Sequence, residues 1–154
     1  MKESMAAVAV VLLVLFRSIG RVPSPLVLIL ASASPRRTEL LREAGLPHRV
    51  LVAAVTEHED PTTDPALMVL HNARLKAAAV SRLHPDALVL GSDTTVALGD
   101  RALNKPADLA ESRAMLRSLS GREHTVHTGV CLLCPALGID ESHDVTAWVR
   151  FRDL

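Results

Sequence analysis

Residues 28–37, Leu-Ile-Leu-Ala-Ser-Ala-Ser-Pro-Arg-Arg, leave few local structures open. An apolar run that does not alternate reads as a strand buried on both faces. Small residues, a serine and a proline follow, which predicts a tight turn and a helix start. Ser34 falls where an N-cap belongs, because its hydroxyl can accept a backbone N–H that a helix leaves unpaired. Pro35 suits the first helical position, where no N–H is missed and φ is already helical. A helix N-terminus attracts anions, and the forked guanidiniums of Arg36 and Arg37 match phosphate geometry. Two readings stand side by side: a phosphate cradle of Ser34, Arg36 and Arg37, or a capped helix followed by two solvated arginines.

The remaining chain reads as one α/β domain. Its 154 residues are 49% apolar and 22% charged, enough for a substantial core. Strands are predicted at 27–31, 48–55, 87–91, 124–133 and 145–151, the last two antiparallel across 135–142. The third ends in Ser92-Asp93-Thr94-Thr95 before 96–98 continues toward the Gly99-Asp100 turn. Helices are predicted at 36–44, stopped by Gly45, from Asp64-Pro65 to about 83, and after Asp108, where Glu111 completes a capping box. Leu109, Ser112, Leu116 and Leu119 fall on one face of that third helix. This order predicts a mixed, twisted α/β sheet with helices on its faces. Residues 26–154 form the domain, and 1–25 an apolar appendage and linker. The apolar run at 5–16 is shorter than the ~20 residues that a membrane span needs. It fits the core of a signal peptide, an upstream extension or an additional helix. We expect an appendage outside the fold, on a cytoplasmic rather than an exported protein.

Composition excludes some functions. Formal charge is zero and aromatics are 2%, so neither a basic surface nor a stacking platform for long nucleic acids is expected. Cys131 and Cys134 have C-x-x-C spacing, but no second pair completes a zinc site. In a strand they point to opposite faces, as two small buried hydrophobes. Of the seven histidines, none forms an H-x-x-x-H pair, and they read as structural or surface residues.

In α/β sheets, ligands bind where polar residues gather beyond strand ends. Four such places are charged: Ser34, Arg36 and Arg37; Glu57; Asp93; and Lys105 before Pro106. Lys76 joins them if its helix face turns inward. A carboxylate directly behind a buried strand needs a cation or donors to stay charged. For Asp93, Mg²⁺ on a triphosphate would serve; so would a turn capped through Thr94 or Thr95.

These residues resemble the Maf nucleotide pyrophosphatases. The opening Leu30-Ala31-Ser32-Ala33-Ser34-Pro35-Arg36-Arg37-x-Glu39-Leu40-Leu41 is similar to the family's first motif, and Leu90-Gly91-Ser92-Asp93-Thr94 to its second. Asn104-Lys105-Pro106-x-Asp108 resembles the third, and residues 124–129 the H-x-V-x-T-G that follows. The resemblance spans about 27–154. It implies a fold of the Maf and inosine-triphosphatase kind, homodimers, and Mg²⁺-dependent (or Mn²⁺-dependent) hydrolysis of nucleoside triphosphates to the monophosphate and pyrophosphate. Ser34, Arg36, Arg37, Lys76 and Lys105 would then hold substrate. Glu57 and Asp93 would bind metal and activate water, with Asp93 as the base. Arg36 and Thr94 match the branch acting on dTTP and UTP. Leu75 departs from the family's E-K-A segment, where glutamate precedes the lysine. Family members continue past Asp153-Leu154 into a K-A-G-x-Y-x-I-Q segment, so the resemblance is to a C-terminally truncated form with an open sheet edge. The rival expectation is a non-catalytic nucleotide-binding or interaction protein derived from that fold.

Overall fold

The structure is a computed structural model and describes residues 26–154 other than Ala53. The expected appendage at 1–25 lies outside the described residues. Six strands form one mixed sheet: β1 (Leu28–Leu30), β2 (Arg49–Val50), β3 (Leu88–Leu98), β4 (Arg101–Leu103), β5 (Glu123–Cys134) and β6 (Ile139–Arg150). Their order is β2-β1-β3-β5-β6, with β4 also beside β3. β1 pairs in parallel with β2 and β3, and every other pairing is antiparallel. Among the described residues three α-helices accompany them: α1 (Pro35–Glu43), α2 (Pro65–Ser81) and α3 (Leu109–Leu119). No helix among the described residues is long and apolar enough to cross a membrane.

Side-chain alternation sorts the core into two layers. Leu28, Leu30, Leu88, Leu90, Val130, Leu132 and Cys134 face α1 and bury its Leu41. Ile29, Val89, Cys131 and Leu133 face the other way, onto Ala73, Ala77 and Val80 of α2. The two cysteines are free, buried and on opposite faces, as their spacing predicts. Parallel β1 is buried along its whole length, in keeping with its lack of alternation.

α2 lies unusually close to the sheet. A Cβ added at Gly91 would meet the Ala73 carbonyl oxygen at 2.1 Å, and one at Gly129 would come within 2.4 Å of the Val69 carbonyl oxygen. These glycines sit on adjacent strands, β3 and β5, beneath the axis of α2. Their missing side chains set the depth at which α2 rests.

The elements depart from expectation in five places. The second strand is only two residues long, because beyond Val50 the chain has no further partner than β1, itself a short strand. β3 runs unbroken through Ser92, Asp93, Thr94 and Thr95, because β5 pairs with it from Val89 to Ala97. β6 begins at Ile139 rather than near 145, since the turn is the short one at Pro135–Leu137 and Gly138, at φ 64°. Ser34 occupies the N-cap position of α1 without donating or accepting a side-chain cap bond. Instead its own N–H donates to Ser32 Oγ at 3.2 Å. In α3 only Leu119 is buried, while Leu109 and Leu116 are exposed. The caps of α2 and α3 form as read: Asp64 accepts from Leu67 N–H and Asp108 from Glu111 N–H. Glu111 reaches one residue further back than a capping box requires, to Ala107 N–H at 2.6 Å.

Candidate active site

One edge of β3 is shared by two strands. β1 covers it up to Leu90, and β4 takes over from Val96. Among the described residues none pairs with 91–95 there, which opens a cleft in the sheet with Asp93 at its centre. Asp93 is therefore mid-strand, not beyond a strand end as the sequence predicts. It reaches a hollow because a neighbouring strand stops short.

Alternation then distributes the partners. Asp93 shares the α2 face with Val89 and Gly91, whereas Thr94 shares the α1 face with Leu90. Asp93 Oδ1 accepts from Lys76 Nζ at 2.8 Å, and its Oδ2 from Asn72 Nδ2 at 3.1 Å. Thr94 Oγ1 accepts from Arg37 Nη2 at 3.2 Å and lies 3.2 Å from Thr128 Oγ1, its cross-strand partner. The other arm of Arg37, Nη1, donates to Ser32 Oγ at 2.9 Å. Burial pulls the guanidinium below its ordinary pKa, and the negative charges of Asp93 and Glu57 push it back up. A guanidinium starts so high that it stays charged.

Glu57 arrives from the loop after β2. Its Oε2 accepts from Lys76 Nζ at 3.0 Å, so one ammonium holds both carboxylates. All three side chains are largely buried, with exposures of 12% for Lys76, 26% for Glu57 and 13% for Asp93. Removing the lysine would leave two carboxylates facing each other with little water. The loop is pinned from both sides: Asn72 bonds the main chain of His58, and Asn104 Nδ2 donates to the Glu59 carbonyl.

Two adjoining hollows result. One, of about 270 Å³, is lined by residues 31–34, Arg37, Val52, Glu57, Lys76, Asp93 and Lys105. The other, of about 180 Å³, runs from His58 and Asn72 to Val96 and Leu103. Glu57, Asp93 and Lys105 border both. Arg37 and Asp93 thus meet at a single hollow, together with Ser34, Glu57, Lys76 and Lys105. Thr94 borders the smaller hollow. Arg36 is exposed and borders neither. Sequence reasoning missed Asn72, Ser32 and Thr128 as parts of this network. Ser32 and Thr128 lie within recognised motifs, but Asn72 carries no motif signal.

Glu57 and Asp93, which share the Lys76 ammonium, are the carboxylates of the hollow that could hold a metal ion. Among the described residues no cluster of three or more His, Cys, Asp or Glu forms a metal-holding group. Two convergent carboxylates suit a hard cation that takes its other oxygens from phosphate and water.

A protein-family profile described as Maf-like protein matches residues 27–154. The chain belongs to the Maf-like protein family. It is 52% identical over 108 residues to the dTTP/UTP pyrophosphatase of Deinococcus radiodurans, covering 70% of this chain and 55% of that protein. It is 53% identical over 129 residues to the dTTP/UTP pyrophosphatase of Symbiobacterium thermophilum, covering 82% and 64%. The 7-methyl-GTP pyrophosphatase of Alkalilimnicola ehrlichii is 45% identical over 127 residues, also covering 82% and 64%. This Maf-like chain therefore spans between half and two thirds of the length of these relatives.

Proposed function

We propose that this Maf-like chain hydrolyses nucleoside triphosphates, dTTP and UTP before others, to the monophosphate and pyrophosphate. The observation that carries the reading is the convergence of Glu57 and Asp93 on one ammonium, in a hollow rimmed by Arg37 and Lys105. Cations to hold a polyphosphate and carboxylates to handle water stand in one place. The names of relatives about half identical over the shared region support the substrate class.

In this reading Arg37, Lys76 and Lys105 bind the phosphate chain and offset the charge that develops on its oxygens. Asp93 takes the proton of the attacking water. The water oxygen bonds to the α-phosphorus, the bond to the bridging oxygen breaks, and pyrophosphate departs. A positioned base of this kind is worth about 10²–10⁴-fold. Glu57 and Asp93 would hold Mg²⁺ or Mn²⁺, which supplies Lewis-acid stabilisation of phosphoryl charge when bound. Buried walls on β1, β3 and α2 limit water to the open side of the hollow. A homodimeric state accompanies this reading as an expectation of the family resemblance, and a cytoplasmic location as an expectation from the N-terminal sequence.

The test is pyrophosphate release over a panel of nucleoside triphosphates, 7-methyl-GTP included, with Mg²⁺ and with a chelator. Release is expected from dTTP and UTP first and is lost with the chelator. Nucleotide binding without any release would select the rival, a binding module on the same fold.

A further inference from the structure

We infer that Asn72 is a positioning residue that sets the two carboxylates of the site in register; its catalytic consequence rests on the pyrophosphatase reading. Asn72 lies on α2 one turn before Lys76 and is 2% exposed. Its Oδ1 accepts from the His58 N–H at 2.8 Å, while Nδ2 donates to the His58 carbonyl at 3.0 Å and to Asp93 Oδ2 at 3.1 Å. The orientation of the amide follows from its surroundings. Reversed, its oxygen would face a carbonyl and a carboxylate, and its NH₂ would face an N–H.

This arrangement joins three pieces of chain at one side chain. His58 directly follows Glu57, so a reciprocal pair of bonds to its main chain fixes where the Glu57 side chain begins. The third bond fixes the rotation of the Asp93 carboxylate and occupies the oxygen that Lys76 leaves free. The His58 segment has no strand or helix hydrogen bonds of its own; besides Lys76, which bridges Glu57 and Asp93, and Asn104, which holds the Glu59 carbonyl, Asn72 ties its main chain to β3. Lys76 supplies charge to the pair, and Asn72 supplies their placement. An amide can do this because it offers an acceptor and two donors at one point. Aspartate lacks the donors and alanine lacks both.

The test compares wild type with Asn72→Ala and Asn72→Asp by steady-state pyrophosphate release and by amide hydrogen exchange without nucleotide. Misplacement of reacting groups by about 1 Å costs on the order of 10²-fold. Both variants are therefore expected to lose about 10- to 100-fold in kcat, with KM for the nucleotide within about threefold. Asn72→Ala should also lose exchange protection at His58 while β3 and β5 keep theirs. Asn72→Asp sets an oxygen against the His58 carbonyl and Asp93 Oδ2, the arrangement that the wild-type amide avoids, and should share the kcat loss. Either variant holding kcat within about twofold would overturn the inference. So would protection lost throughout β3 and β5, which marks a general packing role. Wild type that releases no pyrophosphate overturns the proposed activity. The clamp would then be judged by exchange alone, and unchanged His58 protection in Asn72→Ala would reject it.

Discussion

At the scale of single residues, the site is a balance of charges fixed by short hydrogen bonds. Asp93 is satisfied on one oxygen by an ammonium and on the other by an amide. These two bonds fix the carboxylate where it borders both hollows. Asp93→Asn keeps the shape and removes the proton acceptor. Turnover is expected to fall at least about 10²-fold, with nucleotide binding retained in calorimetry. Full turnover in that variant would remove Asp93 from the role of base. Asp93, Glu57, Arg37 and Lys76 were legible as residues able to do this chemistry. Asn72 was not, since an asparagine on a helix has no signature until its neighbours are known.

At the scale of elements, the depth of α2 governs the site, because Lys76 and Asn72 both ride on it. Gly91→Ala would place a methyl 2.1 Å from the Ala73 carbonyl oxygen and 2.8 Å from the Ala77 nitrogen. Both are backbone atoms, so the helix must lift. We expect a loss of roughly 3 kcal/mol or more in urea unfolding, with a fall in activity beyond what the lost stability explains. His127 on β5 gives a pH test. Burial lowers its pKa, against the opposing pull of Asp64 and Asp144. With the folded value below the unfolded one, the unfolded chain binds more protons between the two. Stability is then fully present above about pH 6.5 and declines as pH falls through the folded value. His127→Gln should flatten that decline in urea midpoints measured from pH 7.5 down to 5. An unchanged slope would show that another group carries it.

At the scale of the whole molecule, the sheet has a covered middle and an open flank. α1 and α2 sandwich β1 and β3, while β6 forms an edge with Trp148 exposed. A two-toothed contact, Arg74 Nη1 and Nη2 to the Asp140 carboxylate at 2.6 and 2.5 Å, ties α2 to the start of β6. It drives the Asp140 carboxyl below its ordinary value and the guanidinium above its own. Both side chains are about half exposed, so solvent screens the pair. Asp140→Asn should cost no more than ~1 kcal/mol, a cost that shrinks in high salt. A larger, salt-independent loss would mean that the tie also sets how the β5–β6 hairpin packs.

From the residues alone came the buried first strand, the proline-led helix, the caps of α2 and α3, the opposed cysteines and, Arg36 apart, the charged groups that line the hollow. Each depends on local chemistry or on a period of two or 3.6 residues, which a linear chain displays. Tertiary structure decided the rest. Asp93 reaches a hollow only because β1 ends at Leu30 and β4 ends at Leu103, opposite Val96. Arg37 faces Thr94 and Lys76 faces Asp93 because alternate residues of one strand meet different helices. Asn72 matters only because two missing Cβ atoms let α2 settle against β3 and β5. Such relations are distances between remote parts of the chain, and no single stretch of sequence contains them.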